Sequence, residues 1–88
     1  MENTVKLTTA VKSGSDTIEE LTFRPPTIAE IRKLGYPMMF RGDDTMVNTE
    51  VAAKYASTLS GEPPSVINKL SIPDFTMVLG KVCSFFGA

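Results

Sequence analysis

The stretch TVKLTTAVKSGSDTIEELTFRPPT, residues 4–27, decides the fold class. Val5, Leu7, Thr9 and Val11 alternate with Lys6, Thr8, Ala10 and Lys12, which is the period of a half-buried strand. Ser13-Gly14-Ser15-Asp16 supplies turn chemistry, with a glycine free to take positive φ. Thr17 to Arg24 is β-prone again, but Ile18 falls out of phase with Leu21 and Phe23. A bulge near Glu19-Glu20 restores the phase. Residues 4–24 are therefore predicted as a β-hairpin, stopped by Pro25-Pro26.

Everything after the hairpin reads as helix and turn. Thr27 followed by Glu30 has the spacing of a capping box, in which each side chain satisfies a free N–H at the helix start. Ile28, Ile31 and Leu34 then form an apolar stripe, and Gly35 suits the C-terminal end, so residues 28–34 are predicted as a short helix. A second helix starts somewhere in Asp44 to Asn48. Val47, Val51, Tyr55 and Leu59 recur along it, flanked by the small Ala52 and Ala56, and Gly61 with Pro63-Pro64 ends it. Ser65 to Leu70 fits a short helix with Val66, Ile67 and Leu70 inward. Ser71-Ile72-Pro73-Asp74 opens the last helix, with proline in its first turn and Asp74 at the positive end of the dipole. Its apolar face is Phe75, Val78, Leu79, Val82 and Phe86. Strands first and helices after give an α+β fold: an N-terminal β-hairpin followed by three to four short helices, in a single domain 1–88 with the hairpin at 4–24 and the helical part at 27–87. A two-stranded hairpin is marginal alone, and its open edges make a homo-oligomer through the hairpin edge an expectation.

Between the first two helices lies GYPMMFRGDD, Gly35 to Asp44, which reads as a loop carrying three large apolar residues, Met38, Met39 and Phe40. Such residues either plug the end of a thin core or form a contact surface. A mixture, some anchoring and some exposed, is the expectation. The chain holds five methionines, and methionine suits surfaces that accept varied apolar partners.

Composition removes several function classes. The chain has 88 residues, net charge −1 and nine scattered basic residues, without the concentrated basic face that nucleic acid requires. There is no histidine, the commonest general base and metal ligand. The one cysteine, Cys83, falls on the apolar side of the last helix and reads as a small hydrophobe rather than a nucleophile. Asp43 and Asp44 are turn and cap chemistry, not an oxygen cage. No catalytic residue, cofactor site or metal site is expected. No run approaches the roughly 18 apolar residues of a membrane span, and Met1-Glu2-Asn3-Thr4 lacks the regions of a secretory leader, so a cytoplasmic protein is expected.

At LTFRPPTIAEIRKL, Leu21 to Leu34, the chain resembles the phage tail assembly chaperones of the tail protein E group. The shared feature is a strand ending in an aliphatic-x-Arg-x-Pro-Thr run that enters a short helix. YASTLSGEPPSVINKLSIPDFTMVLGKVCSFF, Tyr55 to Phe86, is similar to the family's second half. Pro25 and the Met-Met-Phe stretch have no counterpart in that pattern. The resemblance implies a protein of the host cytoplasm that binds the long, helical tape measure protein and keeps it soluble during tail morphogenesis. A client helix would then lie in a groove lined by Met38, Met39, Phe40, Phe85 and Phe86. It also implies a longer form made by ribosomal frameshifting, with which Ser84-Phe85-Phe86 is compatible. A small structural tail component and a cytoplasmic adaptor module are the alternative readings.

Overall fold

In this computed structural model residues 3–87 are described; the leader reading at Met1 and Glu2 and the end of the expected domain at Ala88 lie outside them. Among the described residues eight elements follow one another: β1 (Thr4–Ser13), β2 (Asp16–Thr22), α1 (Ile28–Leu34), β3 (Met38–Arg41), β4 (Asp44–Val47), α2 (Thr49–Ser60), α3 (Pro64–Ile67) and α4 (Ile72–Ser84). The fold is α+β, with the N-terminal hairpin, four helices and a second small hairpin in the middle of the chain.

β1 and β2 pair antiparallel, and their register sets Val5 opposite Leu21 and Val11 opposite Ile18. The irregularity that brings Ile18 into phase falls where the partners step from Lys6–Glu20 to Val11–Ile18, so it lies opposite Glu19 as expected, with the extra residues on β1. The residues it sets free are held by α4. The Thr8 N–H donates to both carboxylate oxygens of Asp74, at 2.9 and 3.0 Å, and the Thr9 N–H donates to Oδ2 at 3.1 Å. The Thr8 hydroxyl adds a bond of 3.0 Å to Oδ1. These amides have left the strand ladder to hold a carboxylate, so Thr9, expected inward, is exposed.

Asp74 itself is fully buried. The Thr8 backbone N–H, helped by Thr9, Ser71 and the Thr8 hydroxyl, outweighs desolvation and holds its carboxyl below the usual range. Asp74 thus does more than complement a helix dipole: it bolts α4 to the bulge of β1. Its own N–H donates to Ser71 Oγ at 3.3 Å, which caps α4.

The core forms where the inner face of the hairpin meets the helices. Val5, Leu21 and Phe23 pack with Ala52, Tyr55, Ala56 and Leu59 of α2, Ile67 of α3, and Val78 and Val82 of α4. Ala52 and Ala56 present no bulk, so neighbours approach α2 closely. Asn48 caps α2 by accepting from the Val51 N–H at 3.2 Å. Gly61 ends it with φ of 77°, a left-handed conformation that costs glycine nothing.

α1 is held at its ends rather than by burial. The capping box is present: Thr27 Oγ1 accepts from the Glu30 N–H at 3.2 Å, and Glu30 accepts from the Thr27 N–H at 2.9 Å. Arg24 grips the same carboxylate with bonds of 3.0 and 2.6 Å. The Arg24 bonds first, and the Thr27 N–H second, drive the Glu30 carboxyl down to about 2. The predicted stripe is only partly used. Ile28 stands in solvent and Ile31 and Leu34 are half-buried, because a helix of 7 residues lies along the surface here.

Candidate functional site

Gly35 to Asp44 is not a loop. Met38–Arg41 and Asp44–Val47 pair antiparallel, with Met38 opposite Val47, Met39 opposite Met46, Phe40 opposite Thr45 and Arg41 opposite Asp44. The connection is the two-residue Gly42-Asp43. Gly42 has φ of 60° and Asp43 does not take positive φ, which is the pattern of a type II′ hairpin turn. Val47 therefore belongs to β4 and not to the buried face of α2, whose first turn starts at Thr49. The Asn48 N–H donates to the Pro37 carbonyl at 2.7 Å and closes the base of the hairpin.

This hairpin exposes apolar side chains on both faces. Met38, at 4% exposure, is its anchor, whereas Met39 and Phe40 are 65% and 63% exposed. Met46, Val47 and the preceding Tyr36 are also exposed. The expected mixture is what the chain shows: one of the three residues anchors and two face solvent.

Phe86, just beyond α4, meets this region from the far end of the chain. Its ring lies edge-on to Tyr55 with centroids 5.1 Å apart and to Tyr36 with centroids 5.7 Å apart. Tyr36, Met38, Met39, Phe40 and Phe86 line an open hollow of about 370 Å³. Four of the five residues singled out from sequence, Met38, Met39, Phe40 and Phe86, thus share one cavity wall. Phe85 does not line it; half-buried, it packs against the core. On another side of the hairpin, Met38, Thr45 and Val47 face Thr76, Leu79, Gly80 and Cys83 of α4 across a second apolar hollow of about 310 Å³.

Tyr55 connects this region to the core. It is fully buried, and its hydroxyl donates to the Gly35 carbonyl at 2.6 Å, tying the exit of α1 to α2. Burial raises its phenol above the usual range.

Sequence reasoning missed Tyr36, Met46 and Val47 as parts of this surface. The signal was present: Gly42-Asp43 between Met38-Met39-Phe40 and Thr45-Met46-Val47 is a Gly-X hairpin turn between β-prone residues.

Among the described residues, the side chains that line the two hollows are apolar or neutral. The buried Cys83 thiol is pushed up by desolvation, which makes it a packing group. Among the described residues no three His, Cys, Asp or Glu side chains cluster to hold a metal ion. No helix there is long and apolar enough to cross a membrane. What the arrangement offers is apolar surface around a concave centre.

Comparison with protein families matches residues 4–87 to the family model described as phage tail assembly chaperone proteins, E, or 41 or 14. The match runs from the first residue of β1, through both hairpins, to the residue after Phe86. Neither the curated proteins nor the solved structures contain a match to the chain.

Proposed function

We infer from this chain's membership of the phage tail assembly chaperone family, which the match over residues 4–87 shows, that it acts as an assembly factor and not as an enzyme. Tail proteins are accordingly its partners. The client is the tape measure protein, a long helical chain that must stay soluble in the host cytoplasm until the tail tube forms around it.

The observation that supports this reading is the hollow beside the second hairpin, with Met39 and Phe40 projecting at its rim. A helix with an apolar stripe can lay one large side chain into the hollow, over Met38 and against Phe86, while Tyr36, Met39 and Phe40 cover its flanks. Phe85, packed on the core, fixes the segment that carries Phe86. Covering the exposed parts of Met39 and Phe40 removes about 250 Å² of apolar surface, worth about 6 kcal/mol gross at ~25 cal/mol per Å². The entropy of association takes ~4 kcal/mol or more of this. Single-site binding is therefore weak and reversible, which suits a holder that must release its client to the growing tube.

The test is co-purification of tape measure fragments with the tagged chain, beside a Met39→Ser, Phe40→Ser variant whose circular dichroism matches wild type. Capture by wild type and not by the variant supports the site. Equal capture by both moves the client surface elsewhere.

A further inference from the structure

The β3–β4 hairpin has a free edge, and its residue order fits one occupant well. Because Asn48 and Pro37 form a hydrogen-bonded pair, the ladder alternates from there. Met39–Met46 and Arg41–Asp44 are bonded pairs within the hairpin, and Phe40–Thr45 and Met38–Val47 are not. The N–H and C=O groups of Thr45 and Val47 therefore point away from β3, out of the open side of β4. All four residues of β4 are exposed, and among the described residues neither amide has a backbone partner outside the hairpin. No proline or lysine guards this edge, the usual protection of an unpaired strand.

We propose that β4 pairs antiparallel with β4 of a second copy of this chain, across a two-fold axis at Met46, joining the two small hairpins into one four-stranded sheet. The residue order selects this register. Thr45 of one copy meets Val47 of the other in a bonded pair, and the same contact repeats on the other side of the axis, as a self-complementary interface requires. Met46 faces its own counterpart in the non-bonded position, where side chains lie closest. Asp44 comes opposite Asn48, so no like charges meet. A slip of two residues toward the tip sets Asp44 against the apolar Met46. The opposite slip runs the ladder into α2, which begins at Thr49. A slip of one residue turns the outward amides against inward ones and forms no ladder.

A four-residue edge with Met46 and Val47 covers on the order of 400 Å² per copy, about half of what a stable complex buries. The dimer is therefore weak and concentration-dependent. Pairing through β4 leaves the hollow at Tyr36, Met39, Phe40 and Phe86 open in both copies. The inference stands on the strand geometry and does not depend on the identity of the client.

Cysteine cross-linking of the full chain tests it, with wild type, whose Cys83 is buried, as the control. In the proposed register the two Met46 Cα atoms are about 4.5 Å apart, within disulfide reach. The two Met39 Cα atoms lie three strand spacings apart, about 14 Å. Met46→Cys is expected to give the covalent dimer about tenfold faster or more than Met39→Cys, although Met39 is the more exposed of the two positions. Adding Thr45→Pro to Met46→Cys removes an outward N–H without touching a bond inside the hairpin, and is expected to abolish the cross-link while circular dichroism stays unchanged. Sedimentation velocity of wild type is expected to show dimer growing with concentration. Equal rates for the two cysteine variants, survival of the cross-link in the proline variant, or a monomer at every concentration overturns the proposal; the last result leaves the edge free for a client strand.

Discussion

Tyr55→Phe removes one oxygen from the centre of the molecule, and the structure sets the size of the effect. The side chain is fully buried, and its hydroxyl donates to the Gly35 carbonyl at 2.6 Å, with the Glu30 carbonyl 3.4 Å away. The phenylalanine ring keeps the edge-on packing against Phe86, so the difference isolates the hydroxyl. A neutral hydrogen bond contributes ~1 kcal/mol net, and a fully sealed orphan acceptor costs up to ~3 kcal/mol. Gly35 is half-buried, so water reaches its carbonyl in part. The expected loss is therefore about 1–1.5 kcal/mol, which lowers the melting temperature of a domain of this size by about 5–10 °C. The chain has no tryptophan, so urea and thermal unfolding are followed by far-ultraviolet circular dichroism. The exposed Tyr36→Phe is the control, expected within about 0.5 kcal/mol of wild type. Backbone amides of Met39 and Met46 should also exchange faster in Tyr55→Phe, because the chain leaving Gly35 leads directly into β3. A Tyr55→Phe variant as stable as Tyr36→Phe would refute the view that this hydroxyl fixes the second hairpin to the body.

Two other substitutions follow from the same structure. Asp74→Asn keeps the shape but sets an amide N–H₂ group among the Thr8 and Thr9 donors. It should be less stable than wild type at neutral pH, measured by urea unfolding across a pH series. A carboxyl whose folded pKa lies below its unfolded value stabilises fully above the unfolded value and loses that contribution as pH falls through the folded one. Wild type should therefore weaken below the ordinary Asp74 value of 3.8, and further as Glu30 protonates between 4.5 and about 2, whereas Asp74→Asn lacks the first component. An identical pH profile for the two proteins would contradict this. Gly42→Ala strains a residue with φ of 60° and should cost the hairpin about 1 kcal/mol. Hydrogen exchange should rise at Met39 and Met46 and stay unchanged at Tyr55 and Val82; uniform change along the chain would contradict a locally strained turn.

The parts of this fold that are legible in sequence are those governed by neighbours. The Ser13–Asp16 turn, the Thr27–Glu30 capping box, Gly61 at the end of α2 and the Ser71-Ile72-Pro73 start of α4 each involve residues a few positions apart, and each forms as read. The failures involve distant partners or mixed faces. The extra residues of the irregularity lie on β1, where the amides of Thr8 and Thr9 bond to Asp74, 66 and 65 residues away, which no local pattern reports. The second hairpin escapes the alternation rule because Met38, Met39 and Phe40 are apolar on both faces, one pointing at the body and two at solvent. Val47 fits the helical repeat of Val51, Tyr55 and Leu59 equally well, although a strand ends there. For the candidate site, large apolar residues in a row mark the surface, but only the folded chain brings Phe86 to Tyr36 and leaves Phe85 against the core.

The proposed client and the proposed surface around Met39 and Phe40 can be tested together. The most direct measurement is the soluble fraction of the tape measure protein when it is co-expressed with wild type, with the folded Met39→Ser, Phe40→Ser variant, and with an empty vector. A largely soluble client is expected with wild type and an insoluble one in the other two cases. An equally insoluble client with wild type and with empty vector would contradict the proposal.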